Sequence, residues 1–446
     1  MPPQPHNGFC AGRKEALAFV ALRVSAGTSS NPAAHAAGYD GAVSWLARIR
    51  VLASVAGSLL AVVASAQPLA TARLLSAGRE PVTIVCMGDS ITGVYYHSGG
   101  RRAYPEMLEI ALHKIYPSAR VRVHNAGRSG DTTRGALARL DRDVIAHKPN
   151  LVTVMFGMND LVRIPLDEFK KNLREIAARC RSAGAEVMLC TQNSVFETKA
   201  RPGEKLAEFT EAIREVGRDE GVPVVDCYAA YEAVRTRDAL AWTLLHSDEI
   251  HPNMDGHKVF ATAIARSISG QEISLGAVGP PDLALRHTRA LLKAGETVKV
   301  LAMPPFDRLI APALTQLFPG AKVAVTAWPT EGQTLGEIRE SAKKVRAMKM
   351  NLVILAVPPS ADAATPEAFH QHYAWTMNLS LNFGLQEWDV VVAPPSTVKP
   401  RLTPAERRHE EFARRLIAAQ DLNMIAREPG DPSATPDLLL RWLQAH

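Results

Sequence analysis

Cysteine is scarce in this chain, five in 446 residues, and the scarcity excludes a disulfide-stapled scaffold. The spacings of Cys86, Cys180, Cys190 and Cys227 form no metal-ligand pattern either. Cys86 and Cys190 fall in apolar strand-like runs, Cys180 in a helix and Cys227 at the end of another strand, where a thiol serves as a small buried hydrophobe. Charge of one sign is also weak. The net value is +6, and residues 1–66 alone hold five Lys/Arg against two Asp/Glu. With no basic stripe carrying interleaved aromatics, a nucleic-acid partner is excluded. Missing too is any apolar run of the roughly 20 residues that a membrane-spanning helix needs. What remains is the composition of a soluble globular protein, 47% hydrophobic and 22% charged. Its length suits two to three domains.

Residues 1–66 read as a leader. Arg48 and Arg50 precede an apolar run from Val51, which ends Ala64-Ser65-Ala66 before Gln67-Pro68. A basic flank, a short apolar core and small residues at the end make a secretory signal. The expectation is a secreted or periplasmic protein cleaved near Ala66, with a true start near Val43 and no stable membrane span once the leader is removed. The alternative is a membrane anchor through an uncleaved leader.

After a linker at 67–80, β-branched runs alternate with amphipathic stretches. The strands are expected at Val82–Met87, Arg120–His124, Leu151–Phe156, Glu186–Thr191 and Val222–Asp226. Helical periodicity marks Tyr104–Ile115, Thr132–Ala146, Pro165–Ser182, Glu204–Glu220 and Asp255–Ser269. That alternation predicts an α/β domain over 81–270, a parallel sheet with helices on both faces. Gly and Pro then concentrate in 271–296, a second linker.

Residues 297–446 repeat the pattern of the first domain. YPSARVRVHNAGRSGDT at 116–132 returns as FPGAKVAVTAWPTEGQT at 318–334, and KPNLVTVMFGMND at 148–160 as KMNLVILAVPPSA at 349–361. Apolar positions match, so a second similar α/β domain is expected, packed against the first. Its polar chemistry is gone. Phe306, Pro329 and Ser360 stand where Ser90, Gly127 and Asn159 stood, so this half is read as a degenerate, catalytically silent copy. Phe306, Trp328, Trp375 and Trp388 are its candidate glycan contacts, with core packing the alternative for the tryptophans.

Four polar blocks carry the chemistry: GDSIT around Ser90, NAGRSGDT at 125–132, GMND at 157–160 and SDEIHPN at 247–253. Each of the first three closes an apolar run and so sits at the carboxyl end of a strand, where open α/β sheets gather ligands. A serine hydroxyl becomes nucleophilic when a base takes its proton and a third group fixes that base. Asp248 and His251 lie three apart, close enough for one turn to present both. A capping Asp beside a surface His is the bland alternative. For an oxyanion, the N–H of Ser90 at a helix start, the N–H of Gly127 and the carboxamide of Asn159 are the candidate donors. The segment after the serine holds Tyr95, Tyr96, His97, Arg101 and Arg102, read as pocket rim or as solvated loop.

Taken in order, the four blocks resemble the GDSL, or SGNH, hydrolase superfamily over roughly residues 82–270. The resemblance implies Ser90 as nucleophile, Asp248 and His251 completing the triad, and Ser90, Gly127 and Asn159 as the oxyanion hole. Ile91 stands where many members carry Leu. A flavodoxin-like doubly wound sheet of order 2-1-3-4-5 is implied, with ester hydrolysis that uses no metal or cofactor. The expected activity is an exported serine esterase for short, acetyl-type esters, with carbohydrate esters as first candidates among small-molecule substrates. Two alternatives stand beside it. One is a lysophospholipase or thioesterase acting on lipid acyl groups, the other a non-catalytic glycan-binding pseudoenzyme.

Overall fold

Leu151–Met155 forms β3, and every residue in it is buried, as expected of a strand covered on both faces. It is the middle of a five-stranded sheet. β1 (Pro81–Gly88), β2 (Arg120–Gly127), β4 (Glu186–Cys190) and β5 (Val224–Val225) complete the sheet in the order 2-1-3-4-5. Every pairing is parallel. This is the flavodoxin-like order that the motifs implied. Register sets Gly88 beside Gly127 on one side and beside Met155 on the other. The first three polar blocks therefore leave the sheet at one edge, around the switch point between β1 and β3.

The computed structural model describes residues 69–281, 284–381 and 387–446. The expected leader, its cleavage site and the start near Val43 lie outside the described residues. No helix among the described residues is long and apolar enough to cross a membrane.

The helices of the first half follow the apolar periodicity. Leu166–Ser182 buries Phe169, Leu173, Ile176, Ala177 and Cys180, one stripe at three- and four-residue spacing. Met254–Ser269 begins where the Asn253 side chain accepts from Gly256 N and ends at Gly270, φ 71°. β5 is shorter than the predicted Val222–Asp226. As an edge strand it meets only β4, and Pro223 has no N–H to give a ladder.

A second sheet holds β6 (Thr297–Ala302), β7 (Lys322–Ala327), β8 (Leu352–Leu355), β9 (Asp389–Val392) and β10 (Asn423–Met424), all parallel. Its order is 7-6-8-9-10, the same winding as the first. Each sheet has its own apolar core. The two expected linkers differ from the reading above. Within 67–80, Ala70–Ala77 is a helix whose first amides donate to Glu186. Within 271–296, Leu275, Ala284 and Leu285 are buried and Arg286–Lys293 is a helix. Apolar side chains inside these Gly- and Pro-containing stretches found core to join.

Candidate active site

β1 delivers Ser90. The strand ends at Gly88, where an added Cβ would lie 1.9 Å from Thr92 Oγ1 and 2.7 Å from Met155 O. The chain then turns sharply, with Thr92 N and Gly93 N both donating to Asp89 O, and Ile91 N to Asp89 Oδ1. No helix starts at Ser90, contrary to expectation; a short 3-10 turn at Tyr96–Ser98 follows, and the next α-helix is Tyr104–Ile115. The turn nevertheless leaves the Ser90 N–H outside its hydrogen bonds.

The loop between helices Ala239–Thr243 and Met254–Ser269 supplies the other two groups. Asp248 Oδ1 accepts from Ile250 N at 3.0 Å and His251 N at 2.9 Å, which fixes the turn. His251 Nδ1 lies 2.8 Å from Asp248 Oδ2, and its Nε2 lies 2.9 Å from Ser90 Oγ. An ionised carboxylate only accepts, so Nδ1 carries the proton and Nε2 is left to accept from the serine. Ser90 and His251 are each 9% exposed, enough for a small substrate to reach.

The electrostatics fit that arrangement. Burial works against ionisation of Asp248, but the His251 charge, its ring N–H and two backbone N–H groups outweigh it. The carboxyl is held well below the usual range. Asp89, fully buried, goes the other way. Burial raises it to about 7, against the opposing pull of the Ile91 N–H and His251. His257 is pushed down to about 3 by burial and then by His251.

Asn159 and Gly127 are placed less simply. Asn159 Nδ2 donates to Asp131 O at 3.0 Å and to Asp89 Oδ2 at 3.2 Å. Asp160, beside it, accepts from Thr133 N, Thr133 Oγ1 and Gly157 N, tying the β2 and β3 loops together. Gly127 N already donates to Asn125 Oδ1 at 3.0 Å. A Cβ on Gly127 would lie 2.2 Å from Gly93 N. Its small size is needed for that close approach, and its N–H is not offered outward, contrary to the expected role. Three residues on, Gly130 has φ 71°, and its N–H enters no hydrogen bond among the described residues.

The sequence pattern of the GDSL-like Lipase/Acylhydrolase family matches residues 86–259. Acetylxylan esterase of Geobacillus stearothermophilus is 30% identical over 172 residues, 35% of this chain and 76% of that protein. The chain belongs to the GDSL-like lipase/acylhydrolase family. Its chemistry is carboxylic ester hydrolysis. The thioesterase 1/protease 1/lysophospholipase L1 of Escherichia coli (strain K12) is 27% identical over 188 residues, 42% of this chain and 83% of that protein. The crystal structure of the Geobacillus acetylxylan esterase aligns with 44% of this chain and 97% of its own, at 26% identity and a TM-score of 0.37.

The segment expected at the rim of this acylhydrolase's pocket is largely turned inward. The Tyr96 hydroxyl donates to Asp248 Oδ2 at 3.1 Å. The His97 ring is fully buried and stacked on His251. Tyr95 accepts from Ser129 N through its hydroxyl. Arg102 does not face the pocket, because it forks onto Asp421 of the second half at 2.7 Å and donates to Gly279 O. Arg139 was missed from sequence. It is 5% exposed and joins Asp131, Ala126 O and Gly88 O, bracing the β1 and β2 loops from behind. Its only local signal was Asp143 four residues on, a spacing common on any helix.

Trp328 and Trp388 are 5% and 7% exposed and donate to Ser341 Oγ and Ser380 O, so both are core residues. Phe306 is buried as well. Trp375 is half-buried. It lines a cavity of about 270 Å³ with Tyr96, Asp248, Glu249, Arg339 and Arg346, beside the Asp248–His251 loop.

Proposed function

We propose that the protein is an exported serine esterase acting on short acyl esters, with acetylated carbohydrates as its substrates. The observation that carries this reading is the unbroken run of contacts from Ser90 Oγ through His251 to Asp248, at 2.9 and 2.8 Å.

In the proposed mechanism His251 Nε2 takes the Ser90 proton as the serine oxygen bonds to the ester carbonyl carbon. Asp248, accepting from Nδ1–H, stabilises the imidazolium. The Ser90 N–H and Asn159 Nδ2 donate to the oxyanion, with the long contact to Asp89 as the bond Asn159 exchanges for it. Gly130 takes the part expected of Gly127, since its N–H is uncommitted and its loop touches Asn159 through Asp131 O. His251 then returns the proton to the departing alcohol. Water, deprotonated by the same ring, releases the acid and restores the serine.

The carbohydrate half of the proposal is supported by the acetylxylan esterase relative and by the cavity beside Asp248. Glu249, Arg339 and Arg346 line that cavity and are the kind of convergent polar groups that bond sugar hydroxyls. Export is supported by the leader pattern at residues 48–66. The second half is proposed to hold no second triad, with Phe306 buried at the position matched to Ser90.

Esters of one chromogenic alcohol, with acyl chains of rising length, test the substrate class beside acetylated xylooligosaccharides. The proposal expects kcat/KM to fall steeply beyond about four carbons and acetate release from the sugars. Best turnover on long acyl chains or lysophospholipid would replace it with the second reading, which the Escherichia coli relative favours.

A further inference from the structure

We infer that the second half of the chain positions the Asp248–His251 loop, through Asn378, Gln420 and Arg346; the inference rests on reading Ser90, His251 and Asp248 as a triad. The three residues come from separate elements. Asn378 lies in helix Pro366–Ser380, Gln420 follows helix Pro404–Ala419, and Arg346 is in the short helix Val345–Met348.

Together they reach Ser247, Tyr96 and His97 of the first half, with Gln420 also within 3.2 Å of Ser247 Oγ, and each of those residues touches the triad. Asn378 Oδ1 accepts from Ser247 Oγ at 2.9 Å, while its Nδ2 donates to Ser247 O. Ser247 N in turn donates to His251 O, closing the loop. Gln420 Nε2 donates to Asn378 Oδ1 at 2.5 Å and to His97 O at 3.0 Å. The His97 ring supports one face of His251. Arg346 lies 4.7 Å from the centre of the Tyr96 ring, and it donates to Asn378 O and Leu381 O. Tyr96 is the donor to Asp248 Oδ2.

Two of the three triad groups sit on a loop, the least constrained kind of element. Proton transfer requires them to stay within a fraction of an ångström of one geometry. A pair of buried carboxamides supplies that constraint, because carboxamides bond in fixed directions and moving either strands a polar group without water. Asn378 and Gln420 are 3% and 1% exposed. A domain that only collected glycan would have no reason to bury two carboxamides against this loop. None of the three touches a reacting atom, so they are positioning residues. They would make the second half a working part of the active site.

The test uses the full chain and its variants Asn378→Leu, Gln420→Met and Ser247→Ala, with p-nitrophenyl acetate as substrate. Rates are taken per Ser90 that reacts with a stoichiometric phosphonate, which removes unfolded molecules from the count. For Asn378→Leu and Gln420→Met, kcat per labelled serine is expected to fall at least tenfold, with KM within twofold. The acid limb of the kcat/KM profile should shift, because the Ser90, His251 and Asp248 groups would no longer be held at one spacing. The double variant should be little worse than either single, as for members of one network. Ser247→Ala keeps the carbonyl that Asn378 grips, so its loss should be smaller. Wild-type kcat per labelled serine with an unmoved pH profile in both single variants would overturn the inference. So would losses confined to the number of serines that label. A wild-type chain that labels at no serine would instead sink the triad reading beneath it.

Discussion

The imidazoles of His97 and His251 lie face to face, 4.3 Å between ring centres and 5° from parallel. His97 is fully buried. Burial first, and then the charges of His251 and His257, hold its pKa well below 6.5. The ring is therefore neutral, and only a neutral ring can face the imidazolium that His251 becomes during turnover. A histidine depressed in the folded state contributes its full stability above pH 6.5 and loses it as the pH falls. His97→Phe keeps the stack and removes that acid liability. Urea unfolding at pH 7 and pH 5 should show a smaller loss on acidification in His97→Phe than in wild type. Equal losses would mean that His97 is not held neutral.

Asp89 makes the opposite pH demand. Its folded pKa of about 7 stands above the ordinary 3.8. Stability from this group is thus present below 3.8 and is lost as pH rises toward 7. The ionised form costs up to about 4 kcal/mol above neutrality. Asp89→Asn removes the ionisation while still filling the site. Its melting temperature should exceed wild type at pH 8 and match or fall below it at pH 4. A variant less stable than wild type at both would contradict the assignment.

Tyr96 bonds the carboxylate that orients His251. A hydrogen bond to a charged group is worth about 1.5–3 kcal/mol, and part of that is felt as the imidazolium forms. Tyr96→Phe should lower kcat about tenfold with little change in KM, read on p-nitrophenyl acetate. An unchanged kcat would show that Asp248 does not need the Tyr96 hydroxyl beside its other donors.

Asn159→Ala should cost about 10²–10³ in kcat, the range for other oxyanion donors. KM should hold, because the bond strengthens only as charge develops on the carbonyl oxygen. Loss of KM alone would place Asn159 in ground-state binding.

Much of this site was legible in advance for one physical reason. In a parallel sheet the chain leaves every strand at the same edge, so GDSIT, NAGRSGDT and GMND had to converge once their apolar runs paired. Asp248 and His251 were legible because three residues of separation suit one turn. Gly127 and Gly130 are glycines of one loop, and composition does not say which N–H a neighbouring side chain takes up, as Asn125 does that of Gly127. Arg102 carried no sign that Asp421 would meet it, and neither did Gln420 for His97. Contacts across more than 300 residues leave no periodicity to read.

Reaction with a serine-directed phosphonate, followed by peptide mapping, tests the central claim most directly. Wild type should carry the label on Ser90 alone, and His251→Ala should label there far more slowly. Label at another serine, or ester turnover undiminished in Ser90→Ala, would contradict the account.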